Sequence, residues 1–545
     1  MKSIFNTPQA KVILWNYKKR LTPDIFIDLA KTNEVEKVDL TNHVMNFQTA
    51  KSKSSKGTFQ IQLDPSYNWQ GLITTGSWVI LLAANRIAID GDLVDPKSFL
   101  MVGKITDVRY SMQVLDNGAR ASVFYLSGED WSSVFDTKVY FDPTLMPQVP
   151  SGLSEPAKQL LILMNDLSAI YKKESLPTTS DLFKGILGLF SSQLVAIANS
   201  YEEKVNLELA AGGQFLIPTP VLEFLKLTTS PDGINFLLGD TGVKLYEGKL
   251  SGKDTYSNED PTCMLLDLQS LFGTNSFLSI LQNVGNMVLN EIFPETHFKD
   301  GKFEFALYKR CRPFCLRNVF DPTLAPFVSK FDDLPHTLIP AENIRVFSAG
   351  TNNQDRYNFI EVMPAQQFTG VSGYANSVKN FAQVTEPASV ARDGFKPMIV
   401  TTKHVMVTDD RLELSIDKLV AWKDILKEWY WNSHGILNGS ISFIGVNDFI
   451  GVGQNILFTA KVLGGAISKE QKDDTMILAH VESIQHNVSL ENGARSYYTT
   501  VNFVRAVLAN TEGKVLLTNG TTFDETYDND KETYRNLNTL TTMQD

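Results

Sequence analysis

The stretch Gly103–Met112, GKITDVRYSM, and the stretch Ala479–Val488, AHVESIQHNV, share one alternation of apolar and polar positions, and both lead into the same tetrapeptide. That tetrapeptide is Asn117-Gly118-Ala119-Arg120 in the first case and Asn492-Gly493-Ala494-Arg495 in the second. An Asn-Gly pair supplies the positive φ values that a tight hairpin needs, so each stretch reads as a strand, a turn and a returning strand. Upstream, GSWVILLA (Gly76–Ala83) resembles GQNILFTA (Gly453–Ala460). The spacing is kept as well, 29 residues from Gly76 to Ile105 and 28 from Gly453 to Val481. Strand side chains alternate faces, so a preserved register keeps the same face apolar in both copies. One β fold used twice is the implication.

Working outward, FQIQLD (Phe59–Asp64), SWVILLAAN (Ser77–Asn85), Phe99–Met112 and ASVFYLSG (Ala121–Gly128) are strand-like runs rich in β-branched and aromatic residues and broken by Gly, Asn and Asp. At an offset of 300, Phe47 falls on Phe347 and Phe59 on Phe359, which opens the second copy near His336. Helical periodicity marks Glu155–Lys173, Gly185–Tyr201, Asn275–Phe293 and Leu412–Gly435, the last with Gly435 as its stop. Gly301–Phe314 reads as β. The expected class is α+β, mainly β, with two antiparallel barrels and inserted mixed domains. The first barrel takes 1–142, a mixed helical and α+β region 143–335, and the second barrel 336–365 together with 435–509. Residues 366–434 form an insertion with an amphipathic helix, and 510–545 a flexible tail.

Composition narrows the function. A chain of 545 residues exceeds one hydrophobic core, and 43% hydrophobic with 20% charged residues is ordinary for a folded protein. A formal charge of −11 argues against a duplex-binding surface, which draws its affinity from Lys and Arg. Three cysteines, Cys263, Cys311 and Cys315, are too few and too odd in number for a disulfide framework, and fit a reducing cytoplasm. The opening MKSIFNTPQAKVILWNYKKR lacks the apolar core of an export signal. Gly185–Tyr201 is uncharged, yet short for a bilayer span and dotted with Ser, Gln and Asn, so it reads as a buried or interface helix.

No catalytic constellation stands out. Glu129/Asp130 and Asp409/Asp410 are adjacent pairs of the kind found in solvated turns, whereas glycoside cleavage needs two carboxylates flanking a cleft. His480 and His486 can share a strand face, which reads as an interface or half-exposed pair; Trp422 and Trp429, a heptad apart, read as helix packing rather than a sugar platform. The patterns of zinc proteases, serine hydrolases and nucleotide-binding loops are missing from the sequence. The expectation is a non-enzyme with no cofactor and no metal.

VDLTNHVMNFQTAKSKSSKGTFQIQLD (Val38–Asp64), the strand after Gly76, and GKITDVRYSMQVLDNGARASVFYLSGED together resemble the opening barrel of bacteriophage tail baseplate central hub proteins of the T-even-like kind. Arg310-Cys311-Arg312-Pro313-Phe314 resembles the strand end of that family's middle domain, and WYWNSHGILNGSISFIGVNDFIGVGQNILF its closing barrel. The resemblance spans most of 38–508 and leaves the 366–434 excursion and the C-terminal tail unmatched. It implies two tail-tube-like barrels per chain, and a homotrimer whose six barrels form a pseudo-hexameric ring between a tail tube hexamer and a tail spike trimer. Other baseplate and tape-measure proteins would contact it, and DNA would cross its lumen only in transit. Such a protein would be assembled in the host cytoplasm and reside in the virion, without stable membrane insertion. The lumen should be acidic or neutral, since Lys or Arg there would hold DNA. The competing class is a tail-associated cell-wall hydrolase or a glycan- or receptor-binding tail protein. The structural positions singled out are the repeat turns, Asn117, Gly118, Arg120, Asn492, Gly493 and Arg495.

Overall fold

The computed structural model describes residues 8–17, 35–84, 98–114, 120–136, 138–141, 238–247, 273–284, 287–299, 302–315, 331–352, 356–364, 382–402, 412–431, 436–445, 450–466, 475–490 and 495–516. The first part of the chain gives β1 (Gln9–Tyr17), β2 (Val35–Asp39), β3 (Val44–Ser52), β4 (Thr58–Leu63), β5 (Trp78–Ala84), β6 (Phe99–Val114) and β7 (Arg120–Asp130). The middle gives β8 (Lys138–Phe141), β9 (Leu238–Glu247), β10 (Gly273–Ser276), the helix Phe277–Val284, β11 (Asn290–Lys299) and β12 (Lys302–Cys311). Then come β13 (His336–Ile339), β14 (Ile344–Gly350), β15 (Phe359–Pro364), β16 (Gln383–Thr385), β17 (Pro397–Thr402) and the helix Leu412–Tyr430. The chain closes with β18 (Leu437–Ile444), β19 (Asn455–Thr459), β20 (Met476–Ser489) and β21 (Ser496–Ala509).

The described residues are mainly β, and 13 strands join in one sheet whose path is β14-β18-β21-β20-β3-β4-β7-β6-β5-β1-β2, with β19 and β13 branching from β20. Within it the order β3-β4-β7-β6-β5 recurs as β14-β18-β21-β20-β19. The copies agree in detail. Val79 faces Gly103 where Ile456 faces Ala479, and both long hairpins shift register at the equivalent place, between Ile105 and Asp107 and between Val481 and Ser483, the second hairpin having a further shift between His480 and Val481. A bulge adds twist to a strand pair and is a feature of the fold rather than an accident of sequence. In the first copy the strand β1 is inserted between β5 and β2; in the second, β13 pairs with β19 directly.

Alternation explains the elements. β4 buries Phe59, Ile61 and Leu63 and turns Thr58 and Gln60 to solvent, the pattern of a sheet with one wet face. β5 is buried at every position, because its apolar run is covered on both faces. Two cores result. One gathers Phe47, Phe59, Ile61, Leu81 and Leu126, and the other Ile441, Phe443, Ile456, Phe458 and Phe503. Each such side chain contributes about 1.5–3 kcal/mol on burial.

The segment between β14 and β18 has its own three-stranded sheet, β16-β15-β17, covered by the helix Leu412–Tyr430. Trp422, Leu426 and Trp429 of that helix pack on Ile360, Val362 and Phe314. Phe359, expected as the counterpart of Phe59 in the second copy, therefore lies in this separate sheet, and the position equivalent to Phe59 is Gly439 of β18. The helix expected over Asn275–Phe293 stops at Val284, and Asn290–Phe293 instead open β11, paired with Cys311–Tyr308 of β12. Gly285-Asn286 and Pro294 are the sequence signals against a continuous helix. The helices expected at Glu155–Lys173 and Gly185–Tyr201, and residues 517–545 of the tail, lie outside the described residues. Among the described residues no helix is long and apolar enough to cross a membrane.

Candidate functional site

The two copies meet where the far half of β20 pairs antiparallel with β3, Ser483 opposite Ser52 through Ser489 opposite Asn46. Two backbone bonds extend this seam, Lys53 N–H to the Glu482 carbonyl at 3.1 Å and Leu490 N–H to the Met45 carbonyl at 2.8 Å. Val488 and Tyr497 of the second copy cross it to join the first copy's core. His486 lies beside them, its Nδ1 3.0 Å from Thr499 Oγ1 and 3.3 Å from the Tyr497 hydroxyl. Burial, reinforced by the Lys51 charge, pushes the His486 imidazole down to about 3, and burial pushes the Tyr497 phenol up to about 12. Both are neutral at ordinary pH.

Behind the seam a chain of buried charges ties both copies to the middle region. Lys53 Nζ donates to Glu291 Oε2 at 2.9 Å and to Glu482 Oε2 at 2.9 Å. It also lies 3.1 Å from His480 Nε2. Arg310 Nε donates to Glu291 Oε1 at 2.5 Å, and its Nη2 donates to the Gly453 carbonyl. Burial alone would raise the Glu291 carboxyl, but the Arg310 guanidinium and the Lys53 ammonium outweigh it and hold it far below the carboxylate range. His480 is fully buried; desolvation and the Lys53 charge hold its imidazole well below its ordinary value. A neutral ring fits the geometry, Nε2 accepting from Lys53 and Nδ1 donating to Asn455 Oδ1 at 3.0 Å.

A second staple runs in parallel. Lys51 Nζ donates to Glu295 Oε1 at 2.5 Å and sits 3.8 Å from Asp130 Oδ2, while Val452 N–H donates to Glu295 Oε2 at 2.8 Å. Desolvation would lower the Lys51 ammonium, yet the carboxylates of Glu295 and Asp130 raise it, and burial raises Asp130. Buried ion pairs are modest stabilisers against an apolar substitute, but removing one partner strands the other at a cost of about 3–5 kcal/mol. Their work here is to fix β3, β11, β12 and β20 in one arrangement.

Of the residues weighed for chemistry, those among the described residues make packing or ion-pair contacts. Asp130 belongs to this staple, and Glu129 pairs with Lys56 at 2.7 Å. His480 and His486, expected as an interface or half-exposed pair, are buried at the junction between the two copies. Trp422 and Trp429 are 0% and 1% exposed, inside a core where no sugar can stack. Asp409 and Asp410 lie outside the described residues, as do Asn117, Gly118, Asn492 and Gly493. Arg120 pairs with Val114, and Arg495 is exposed just before Ser496, the partner of Ser489. The Lys51–Glu295 and Lys53–Glu291 contacts, over more than 200 positions of sequence, left no signal that pattern reading could find.

Two further strand edges carry no pairing partner among the described residues. Among the described residues β14 pairs with β18 alone, and β6 beyond Ile105 pairs with β7 alone. The sheet face turned away from the cores is equally distinctive. Its outward positions over 46–52, 58–62, 483–489 and 496–502 are Asn, Gln, Ser and Thr, with Ala50 and Tyr498, and none is charged. Polar side chains bridge strands there, Asn46 Nδ2 to Gln62 Oε1 at 2.6 Å and Asn502 Nδ2 to Ser483 Oγ at 2.9 Å. Further along, Arg109 pairs with Asp107 at 2.9 Å.

No family model matches the chain, and no curated protein matches it. Among solved structures it is similar to a tail protein from Neisseria meningitidis MC58, with 10% identity and a TM-score of 0.39 over 91% of this chain and 96% of that one. It is similar to a prophage tail protein from Listeria monocytogenes EGD-e, with 9% identity and a TM-score of 0.35 over 90% and 94%. A third likeness is to an E. coli component of the type VI secretion system, described as structurally similar to T4 bacteriophage tail proteins, with 8% identity and a TM-score of 0.32 over 85% and 73%. Scores this low establish neither a shared role nor shared partners.

Proposed function

We propose that this chain is a structural protein of a bacteriophage tail, the central hub of its baseplate, and not an enzyme. Three copies would place six tube-like modules in a ring that matches a hexameric tail tube on one side and a trimeric spike on the other. DNA and the tape-measure protein would pass through its lumen, and other baseplate proteins would clamp its outside. The family resemblance of 38–508 first suggests this reading. The observation that carries it is the repeated sheet order β3-β4-β7-β6-β5 and β14-β18-β21-β20-β19, joined inside one chain by the β20–β3 seam. A contact that joins unlike edges head to tail propagates, and it closes into a ring when the rotation divides a full turn.

The wet face suits a conduit. Ordinary protein surfaces mix charges of both signs at about 25–35% of positions. The central strands here present amides and hydroxyls instead. Lys or Arg would retain a passing polyanion, and Asp or Glu would oppose its entry; neutral polar groups do neither. Among the described residues, Glu291 and Glu295 are held in ion pairs with Lys51, Lys53 and Arg310, an arrangement that suits a structural junction.

Light scattering on the purified chain, alone and mixed with candidate tube and spike proteins, tests the proposal. A mass of three times 60.9 kDa, alone or on adding the spike, is expected. A chain that stays monomeric with both partners rejects it.

A further inference from the structure

We propose that residues 109–113 of β6 pair antiparallel with residues 346–350 of β14 in a neighbouring copy, repeating between chains the seam that β20 and β3 make within one. This rests on the ring reading and names the contact that would close it.

The register follows from the internal equivalence. Gly103 of β6 corresponds to Ala479 of β20, since each lies opposite the matching position of β5 or β19, Val79 and Ile456. Phe47 of β3 corresponds to Phe347 of β14, since each lies opposite the matching position of β4 or β18, Ile61 and Ile441. In the inner seam Gln485 faces Ala50, His486 faces Thr49, Asn487 faces Gln48 and Val488 faces Phe47. Carried over, Arg109 faces Gly350, Tyr110 faces Ala349, Ser111 faces Ser348 and Met112 faces Phe347.

Burial supports this pairing independently of the strand order. His486 and Val488 are 8% and 2% exposed because β3 covers them, whereas their counterparts Tyr110 and Met112 are 44% and 51% exposed. On the other edge Phe47 and Thr49 are buried, while their counterparts Phe347 and Ala349 are only partly so. Tyr110 and Met112 lie on the core-facing side of β6, Tyr110 against Phe124 at 4.9 Å between ring centroids. They are placed to do for a neighbour's second core what Val488 and Tyr497 do for the first.

An open edge with exposed apolar residues is a template for strand pairing, and its covering needs both unpaired backbone groups and a matching side-chain face. A second copy supplies both. Gln70, whose side chain donates to the Val108 carbonyl at 3.3 Å, marks where the open stretch begins. Lys51, which staples the inner seam to Glu295, is replaced at the corresponding position by Thr351. The contact between chains is thus made by backbone and apolar groups, without that buried charge.

The test is a chain carrying Ser111→Cys and Ser348→Cys, oxidised mildly after its mass has been measured by light scattering, with the spike protein added if trimers need it. A ladder of covalent dimer and closed trimer, reversed by reductant, is expected. Either single cysteine alone, or Ser111→Cys combined with Arg345→Cys, should give none. In a separate variant, Met112→Asp should return the assembly to monomers while leaving the thermal unfolding midpoint of the monomer unchanged, since Met112 is half exposed there. A trimer by mass that fails to cross-link, or that links through Arg345→Cys, overturns this register and leaves the ring standing. A chain monomeric under all conditions removes both.

Discussion

Gly76 and Gly453 hold the same place in the two halves of the sheet: their φ values are +93° and +76°, and their N–H groups donate to Ile105 at 2.7 Å and Val481 at 2.8 Å. Positive φ favours glycine, so both positions resist a side chain. They differ in surroundings. A Cβ at Gly76 would meet only Lys104 Cε at 3.7 Å, whereas one at Gly453 would strike the Phe293 ring and Arg310 Nη2 at 2.9 Å. Gly76→Ala should therefore cost about 1–2 kcal/mol, the strain of a left-handed residue. Gly453→Ala should cost clearly more, because it also displaces the charge staple; denaturant unfolding of the two variants checks the order.

Glu291 is shared by Lys53 and Arg310, and its loss leaves two buried cations facing each other. Glu291→Gln is expected to destabilise by about 3–5 kcal/mol. Lys56→Met, which breaks only the half-exposed pair with Glu129, should fall within about 1 kcal/mol. Equilibrium unfolding of both variants measures the contrast.

Stability should fall as pH drops below 6.5, the ordinary histidine value from which both His480 and His486 are lowered. The sign follows from proton counting. Below that pH the unfolded chain binds protons that the folded chain refuses, so each histidine removes about 1.4 kcal/mol per pH unit. For His486 the loss continues down to about 3. Glu291 adds its own loss only below 4.5, where the unfolded carboxylate protonates first. Unfolding free energies measured on both sides of pH 6.5 should show the slope, and His486→Gln should reduce it.

Adding charge to the neutral face should create DNA affinity at a cost of about 0.2–1 kcal/mol in stability, because like charges directly opposite on a sheet repel. Gln48→Lys with Gln60→Lys places two ammonium groups on adjacent strands of that face. Duplex binding should appear at low salt and vanish as salt rises, with a log–log slope near the number of phosphates neutralised. Unchanged binding by a stably folded double variant would argue against this face as the lumen wall.

The repeat was legible where residue type and spacing were both kept, as at Gly76/Gly453 and along β6/β20. It was illegible where packing was conserved by exchange. Phe59 lies opposite Gly128 in the first copy; the corresponding pair in the second is Gly439 opposite Phe503, large and small having swapped strands. Similarity of residue type passes over such a pair, and at an offset of 300 Phe59 falls on Phe359 instead. The insertion carrying β15–β17 enters between β14 and β18, so a single offset could not run through it. The charge staples were invisible for a different reason: Lys51, Lys53, Glu291 and Glu295 look like surface residues in sequence, and only tertiary burial makes them a junction.

The most direct test of the ring is electron microscopy of the purified assembly viewed end-on. Three-fold particles with six similar lobes around a central opening are predicted. Isolated monomers, or two-fold dimers with no opening, would contradict the ring.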